Sequence, residues 1–214
     1  MKIGFIGTGN VGGTLALALG KKGHSVYLGS RNPKAADIVS LLSRIGGNAS
    51  GHSLSEAIGK SEVIVLALPW KITEEVVKSF SKELSGKILI DCTNPLKEDL
   101  SGLVVGHSTS GGEIVQAAAP LARVFKAFNT TGFNIMENPV LESRKSAMYF
   151  CGDDQGSRDI VRNIVADVGF EPVDGGPLST ARLLEPFALL WIASAYKFGQ
   201  GREFSFNIIR KGKV

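Results

Sequence analysis

The chain has 214 residues, of which 43% are hydrophobic and 21% charged, a composition typical of a folded globular protein and not of a disordered one. Its formal net charge is +4, and the 24 lysines and arginines are spread along the chain instead of clustering as in a nucleic-acid-binding protein. Met1 and Lys2 lead into a short apolar run without signal-peptide features, and no apolar stretch is long enough to span a bilayer. We therefore expect a cytoplasmic protein that binds a small molecule, with no nucleic-acid or membrane partner.

Short apolar runs alternate with helix-like segments, the pattern of a parallel sheet covered by helices. The predicted strands lie at 2–7, 25–30, 62–69, 87–93, 123–129 and 146–152, with a weaker one at 171–176. The predicted helices lie at 11–22, 34–45, 53–60, 71–84, 110–119, 155–168 and 179–198. This pattern predicts a Rossmann-type, doubly wound parallel α/β sheet. We expect a Rossmann domain over residues 1–125 and a small mixed α/β C-terminal lobe over residues 126–214.

The sequence GTGNVG directly follows the first predicted strand and opens the first predicted helix. In this context Gly7 permits a tight turn, Gly9 lets the backbone approach a pyrophosphate, and Gly12 allows close contact between helix and strand. The free amides and the positive end of the helix then face the phosphates. The predicted pyrophosphate-binding residues are Gly7, Thr8, Gly9, Asn10, Val11 and Gly12.

The second predicted strand ends in GSRNP, where an NAD-binding protein places an acidic residue that bonds the ribose hydroxyls. Here the strand is followed by Ser30, Arg31 and Asn32, with Lys34 close behind, and the nearest acid, Asp37, falls in the next predicted helix. A hydroxyl, a guanidinium and an ammonium can bind a 2′-phosphate, which a carboxylate would repel. The sequence therefore predicts NADP(H) as the cofactor.

Two further strands end in residues that should flank the nicotinamide, since ligands of open parallel sheets lie at the carboxyl ends of the strands. The strand at 62–69 ends in Leu68 and Pro69 and is followed by Trp70, and Asn94 follows the strand at 87–93. Trp70 either walls this pocket or only packs against the following helix. Asp91 is interpreted as a strand-end hydrogen-bonding residue in preference to a catalytic acid.

No side chain is predicted to be catalytic, because the sequence has no Ser-Tyr-x-x-x-Lys arrangement, no metal-ligand cluster and no nucleophile motif. His24 is interpreted as structural, His52 and His107 as loop residues, and the two cysteines, Cys92 and Cys151, as buried free thiols. Hydride transfer to an alcohol or imine carbon needs a proton donor, whereas transfer between two stacked rings needs mainly positioning. The sequence favours the second chemistry.

The motifs GTGNVG, GSRNP, ALPW, VFKAFNTT, FCGDD and VDGGPLSTARLLEP occur in this order over nearly the whole chain. Together they resemble the NADP-dependent oxidoreductases of the deazaflavin coenzyme F420 and, equally, the cytosolic oxidoreductase domain of STEAP metalloreductases. The resemblance implies hydride exchange between NADPH and F420, FMN or FAD in a cleft completed by the C-terminal lobe. It also implies that Asn129, Thr130 and Phe133 frame the nicotinamide and the acceptor ring. The turn at 199–201 would close the site.

The residue at position 129 bears on the identity of the electron acceptor. The pattern of the archaeal F420 enzymes has histidine there, whereas this chain has Asn129 and in this respect resembles the metalloreductase domain. Two other functions remain open. One is an NADP-dependent reductase of a small imine or hydroxy acid, and the other is an NADPH sensor without turnover. The apolar final helix is interpreted as core, with a homodimer built on it as the alternative.

Overall fold

The computed structural model describes residues 1–211, which form ten strands and eight α-helices. The strands are β1 (Lys2–Ile6), β2 (Ser25–Gly29), β3 (Ala49–His52), β4 (Val63–Leu66), β5 (Ile88–Asp91), β6 (Arg123–Lys126), β7 (Val140–Leu141), β8 (Arg144–Lys145), β9 (Ala147–Gly152) and β10 (Glu171–Asp174). The helices are α1 (Asn10–Lys21), α2 (Ala36–Ile45), α3 (Leu54–Lys60), α4 (Trp70–Ser79), α5 (Gly111–Ala118), α6 (Phe133–Glu137), α7 (Arg158–Val168) and α8 (Ala181–Tyr196). Short 3-10 turns lead into α7 and α8.

Eight strands form one sheet in the order β10-β9-β6-β5-β4-β1-β2-β3, and β7 and β8 form a separate hairpin. The six strands from β3 to β6 are parallel and follow the 3-2-1-4-5-6 order of dinucleotide-binding folds. Only β9 runs against its neighbour β6, and β10 is parallel to β9. The carboxyl ends of β1, β2, β4, β5 and β6 therefore lie along one edge, which is where a cofactor is expected.

The core lies in two layers, one on each face of the sheet. On one face α1, α2 and α7 pack against the strands, and on the other face α3, α4 and α5 do so. The central strands β4 and β5 are buried along their whole length, which explains their continuous apolar sequences VIVL and ILID. Among the residues that the structure describes, no helix has the length and apolar character needed to cross a bilayer.

The predicted elements are present with shifts of a few residues at their ends, except that α4 ends at Ser79 and not near 84. A capping box begins α3, because the Glu56 amide donates to the Ser53 hydroxyl and the Glu56 carboxylate accepts from the Ser53 amide. The predicted doubly wound sheet is confirmed. It continues through β6 across the predicted boundary at residues 125 and 126, and the division into two domains stays a prediction.

Four elements have no counterpart in the predictions. Strand β3, ASGH, lacks the β-branched alternation of a strand and exists because it pairs with β2 as the edge strand of the sheet. The two-residue strands of the β7–β8 hairpin and the five-residue helix α6 are too short for a periodic pattern.

Candidate active site

The glycine loop between β1 and α1 has the geometry of a phosphate-binding turn. Gly7 has a φ of +101°, and a Cβ atom there would lie 2.3 Å from the Ala67 carbonyl oxygen. A Cβ atom on Gly12 would lie 2.0 Å from the Gly7 carbonyl oxygen, so neither position accepts a side chain. By contrast, no protein atom lies within 4 Å of a Cβ built on Gly9. The space in front of Gly9 is therefore open, as the approach of a pyrophosphate requires.

The N-terminus of α1 is not neutralised by the protein itself. Gly9 is its N-cap residue, no side chain of the described residues caps it, and its first turn holds no acid. The backbone amides and the positive helix end thus remain available to an anion. Of the predicted pyrophosphate residues, Gly12 lies beneath the loop, and the other five line the clefts that meet there.

One cleft, of about 390 Å³, runs from the glycine loop to the end of β2. It is lined by Gly7, Thr8, Gly29, Ser30, Arg31, Leu54, Leu68, Ile72, Glu75, Val76 and Phe80. Its apolar side suits an adenine, and Ser30 with Arg31 forms the polar end.

The turn after β2 is held by its own hydrogen bonds. The Ser30 amide donates to the His52 carbonyl at 2.9 Å, and the Ser30 hydroxyl accepts from the Asn32 amide at 3.1 Å. Asn32 Oδ1 in turn accepts from the Lys34 amide at 3.3 Å. Arg31 and Lys34 are exposed and, within residues 1–211, form no ion pair. Two cations are thus free to meet a phosphate.

A second cleft, of about 430 Å³, lies beyond the carboxyl ends of β4 and β5. It is lined by Val11, Ala67, Leu68, Pro69, Trp70, Lys71, Cys92, Thr93, Asn94, Leu96 and Glu98. Trp70 lines this cleft and also packs against the core on its side of the sheet.

The titratable side chains that line this second cleft are those of Cys92, Lys71 and Glu98. Burial raises the pKa of the Cys92 thiol well above its ordinary value, with a further contribution from Asp91, so the thiol stays neutral. Lys71 and Glu98 are exposed, and 3.5 Å separates the Lys71 ammonium from the Glu98 carboxylate. Among the described residues lining the cleft, the buried titratable group is thus a neutral thiol, and the two charged groups are exposed and lie side by side.

Asn94 and Asn129 join the ends of β5 and β6. Asn94 Nδ2 donates to the Asn129 carbonyl at 2.9 Å, and Asn129 Nδ2 donates to Asn94 Oδ1 at 3.1 Å and to the Leu184 carbonyl at 3.2 Å. We call these three residues the amide clamp. The preceding residue, Phe128, is buried with a φ of +59°, an unfavourable conformation for a bulky side chain. Phe128 adopts this conformation between the end of β6 and the amide clamp.

The two other residues of the predicted acceptor segment lie apart. Thr130 is buried, and its hydroxyl lies 3.6 Å from the Met148 sulfur, so its side chain points into the core. Phe133 lines a third cleft, of about 340 Å³, together with residues 8–10 of the glycine loop. The Arg202 guanidinium lies 4.7 Å from the centre of the Phe133 ring.

The remaining candidates are accounted for by local contacts. His24 Nε2 lies 2.9 Å from the Asp167 carboxylate, which agrees with a structural role. The interpretation of His52 as a loop residue is wrong, because His52 pairs with β2 as the last residue of β3, and its Nε2 lies 2.8 Å from the Ser50 hydroxyl. Cys92 and Cys151 are free and buried. In the described part of the chain, no group of three or more His, Cys, Asp or Glu side chains is arranged to hold a metal ion.

Sequence reasoning missed a buried ion cluster at the carboxyl end of the sheet. Lys126 Nζ lies 2.9 Å from Asp91 Oδ2 and 2.7 Å from Glu185 Oε1, and all three side chains are at most 1% exposed. We call these residues the buried triad. A signal existed in the sequence, since Lys126 interrupts the apolar strand VFKAF and Glu185 the apolar helix segment LLEPFALLW.

The strand order, the glycine loop and the clefts at the carboxyl edge define a dinucleotide-binding protein of the Rossmann class. Residues 2–95 match the family model described as NADP oxidoreductase, coenzyme F420-dependent. The chain is 28% identical to the F420-dependent NADP reductase of Methanocaldococcus jannaschii over 92% of this chain and 94% of the relative. It is 29% identical to metalloreductase STEAP3 of Rattus norvegicus over 90% of this chain, but it spans only 37% of that relative.

Comparison with solved structures agrees with these sequence matches. A protein of Arthrobacter sp. FB24, assigned as an F420-dependent NADP reductase, superposes with a TM-score of 0.87 at 28% identity, covering 98% of this chain and all of the other. An imine reductase of Streptomyces aurantiacus has a TM-score of 0.68 at 16% identity over 91% of this chain and 62% of its own, which shows a shared fold alone. The resemblance to F420-dependent NADP reductases and STEAP metalloreductases is confirmed, as is the predicted class, an NADP-dependent oxidoreductase.

Proposed function

We propose that this protein exchanges a hydride between NADPH and the deazaflavin ring of coenzyme F420, with FMN or FAD as the alternative acceptors. The observation that carries the proposal is the cleft at the ends of β4 and β5, where the buried titratable side chain among the described lining residues is the neutral Cys92 thiol. A cleft of this kind suits transfer between two stacked rings, which asks the protein for positioning and exclusion of water. The F420-dependent relatives, which match this chain over nearly their whole length, support the same acceptor.

The residues present fit the pyrophosphate and the 2′-phosphate of NADPH. The open space at Gly9 and the uncapped start of α1 suit the pyrophosphate. The turn after β2 offers Ser30, Arg31 and Lys34 and holds no acid of its own, although the cleft that it borders is also lined by Glu75. Asp37, the nearest acid in the chain, lies in the first turn of α2.

When bound, NADPH supplies the hydride from its nicotinamide ring. The protein's own residues hold and shield that ring. Leu68, Pro69 and Trp70 form one wall of the cleft. Asn94 follows the neighbouring strand, β5. One of its N–H groups and one oxygen lone pair are not used by the clamp, and both are available to an amide. We propose that Asn129 and Phe133 frame the acceptor side and that Thr130 contributes through its backbone only.

Reduction of a small imine or hydroxy acid is the weaker candidate, because it requires a proton donor at the reacting atom. The imine reductases that share the fold do so at 16% identity, and this chain covers 62% of their length. An NADPH sensor without turnover would use the same cofactor site. The predicted cytoplasmic location and the predicted homodimer stay predictions.

The acceptor is tested by mixing the purified protein with NADPH and, in turn, F420, FMN, FAD and a ferric chelate, and by following NADPH absorbance. We expect the fastest oxidation with F420. Oxidation only by an imine or a hydroxy-acid partner would replace the proposal with the reductase alternative. Tight NADPH binding without oxidation by any acceptor would favour the sensor.

The cofactor assignment is tested by Arg31→Ala. Loss of one charge-assisted contact to the 2′-phosphate costs about 1–3 kcal/mol, so NADPH affinity should fall by about 5- to 100-fold while NADH affinity stays nearly constant. Lys22→Ala, at the far end of α1, removes an exposed charge without touching the cleft and is the matched control. An equal loss for both cofactors would show that Arg31 does not contact the 2′-phosphate.

A further inference from the structure

The buried triad joins three elements at the floor of the candidate site. Asp91 ends β5, Lys126 ends β6, and Glu185 lies in α8, which follows the last strand. The chain separations are 35 residues from Asp91 to Lys126 and 59 from Lys126 to Glu185. The triad therefore connects the nucleotide-binding strands to the C-terminal lobe.

Every charge of the triad is paired or hydrogen-bonded. Asp91 Oδ1 accepts from the amide and the hydroxyl of Thr93 at 2.9 and 2.7 Å. The Glu185 carboxylate accepts from the amides of Gly111 and Gly112, in the first turn of α5, at 2.9 and 3.0 Å. Burial by itself would lower the pKa of Lys126, but the two carboxylates outweigh it and raise that pKa, so the ammonium stays charged.

Stability alone does not explain such a cluster. Removing two carboxylates and an ammonium from water costs several kcal/mol per ion, and apolar residues of similar size often stabilise a core as well as or better than a buried ion pair does. An ion cluster adds a defined geometry, because the ammonium and the carboxylates lie within hydrogen-bond distance of each other in only one arrangement. The position of the triad indicates what it orients.

Each triad residue stands next to one member of the amide clamp. Asn94 comes three residues after Asp91, Asn129 comes three residues after Lys126, and Leu184 directly precedes Glu185. The hydrogen bonds of the amide clamp thus join the same three parts of the chain that the buried triad joins, namely the ends of β5 and β6 and helix α8.

The triad also reaches the wall of the cleft through α5. A Cβ atom on Gly111 would lie 3.0 Å from Trp70 Cζ3 and 3.1 Å from Glu185 Oε1. The Glu185 carboxylate and the Trp70 ring therefore both lie next to the space that a side chain at Gly111 would occupy, and a side chain would fit there only if they shifted. Fixing Glu185 fixes α5 and, through it, one face of Trp70.

We propose that Lys126 is a positioning residue for hydride transfer, because its bonds to Asp91 and Glu185 hold Asn94, Asn129 and Trp70 in the arrangement that aligns the two rings. The proposal rests on the proposed function. Lys126 is fully buried and lies behind the clamp, so it acts through these residues and not by contact with the cofactor.

The test uses two variants of the full chain. The triple variant Asp91→Asn, Lys126→Met and Glu185→Gln removes all three charges at nearly constant volume. The single variant Glu185→Gln leaves the Asp91–Lys126 pair balanced and is the milder change. We expect both to fold and to bind NADPH within about 3-fold of the wild type. We expect kcat for NADPH oxidation to fall by about 10- to 100-fold in the triple variant, because small misplacements of reacting groups have effects of this size.

The matched control is Arg182→Gln. Arg182, in α8, bonds the Glu113 carboxylate in α5 at 2.6 and 2.9 Å, so this pair joins the same two helices but lies outside the clamp. We expect a lower Tm and an unchanged kcat. Wild-type kcat in folded triad variants would overturn the proposal. Loss of folding in both triad variants would also overturn it, because the triad would then be a stability element.

Failure of the proposed function is read separately. If the wild-type protein oxidises NADPH with none of the acceptors, the proposed function fails whatever the variants do. The triad is then tested in a Trp191→Phe background, in which Trp70 is the only tryptophan. We expect the triple variant to change the energy transfer from Trp70 to bound NADPH. Unchanged transfer would overturn the positioning role.

Discussion

Gly9→Ala should separate cofactor binding from folding. Gly9 has a φ of −68°, which alanine adopts freely, and a methyl group there would meet no protein atom within 4 Å. The stability change should therefore stay within about 1 kcal/mol, the range of an N-cap substitution. The same methyl group would occupy the space in front of the α1 amides. Loss of one charge-assisted bond to the pyrophosphate costs about 1.5–3 kcal/mol, so NADPH affinity should fall by about 10- to 100-fold.

Gly12→Ala should have the opposite profile. Its Cβ would lie 2.0 Å from the Gly7 carbonyl oxygen, which is backbone and cannot rotate away. Helix α1 would have to move away from β1, and overpacking of this kind costs about 1–3 kcal/mol. For a chain of this size each kcal/mol corresponds to about 2–4 °C, so Tm should fall by about 2–12 °C.

Both variants are measured by thermal unfolding without cofactor and by fluorescence titration with NADPH. Gly59→Ala is the matched control, because Gly59 is exposed in α3 and a Cβ there also meets nothing within 4 Å. It should keep wild-type affinity and gain a little stability from helix propensity. Undiminished NADPH binding by Gly9→Ala would refute the inference that the open space at Gly9 receives the pyrophosphate.

Two further outcomes follow from the contacts on α3 and α5. Ser53→Ala removes the cap that accepts from the Glu56 amide and should lower the free energy of unfolding by about 1 kcal/mol in a denaturant titration. The pKa of Glu113 is lowered from 4.5, chiefly by the hydrogen bond from Arg182. The stabilisation of the folded state by the Arg182–Glu113 pair is therefore complete above pH 4.5 and is lost as the pH falls through the lowered pKa. Arg182→Gln should therefore lower Tm at neutral pH, and this effect should shrink as the pH falls below 4.5. An effect on Tm that is independent of pH would contradict this assignment.

Much of the nucleotide end of the site could be predicted because its determinants are local. Gly7, Gly9 and Gly12 lie within six residues, and each acts through its own backbone conformation or the space at its own Cα. The missing acid after β2 is likewise a property of one turn, read directly from Ser30 and Arg31. In such cases the sequence context already contains the interacting partners.

The acceptor end of the site could not be predicted in this way, because the residues that contact one another there are distant in the chain. The sequence placed Asp91 and Asn129 at strand ends, but it did not indicate that Asp91 would meet Lys126 and Glu185. It also did not indicate that Asn129 would bond Asn94 and leave Thr130 facing the core. A buried charge in an apolar run signals that a partner exists without identifying it.

The sequence by itself determined the alternation of strands and helices, the phosphate loop and the preference for a 2′-phosphate, since these depend on residues a few positions apart. The tertiary structure alone decided that β9 runs against β6, that an irregular segment such as ASGH becomes the edge strand β3, and that three buried charges meet beneath the amide clamp. The physical reason is that strand pairing and charge burial are satisfied only by groups that the whole fold brings together.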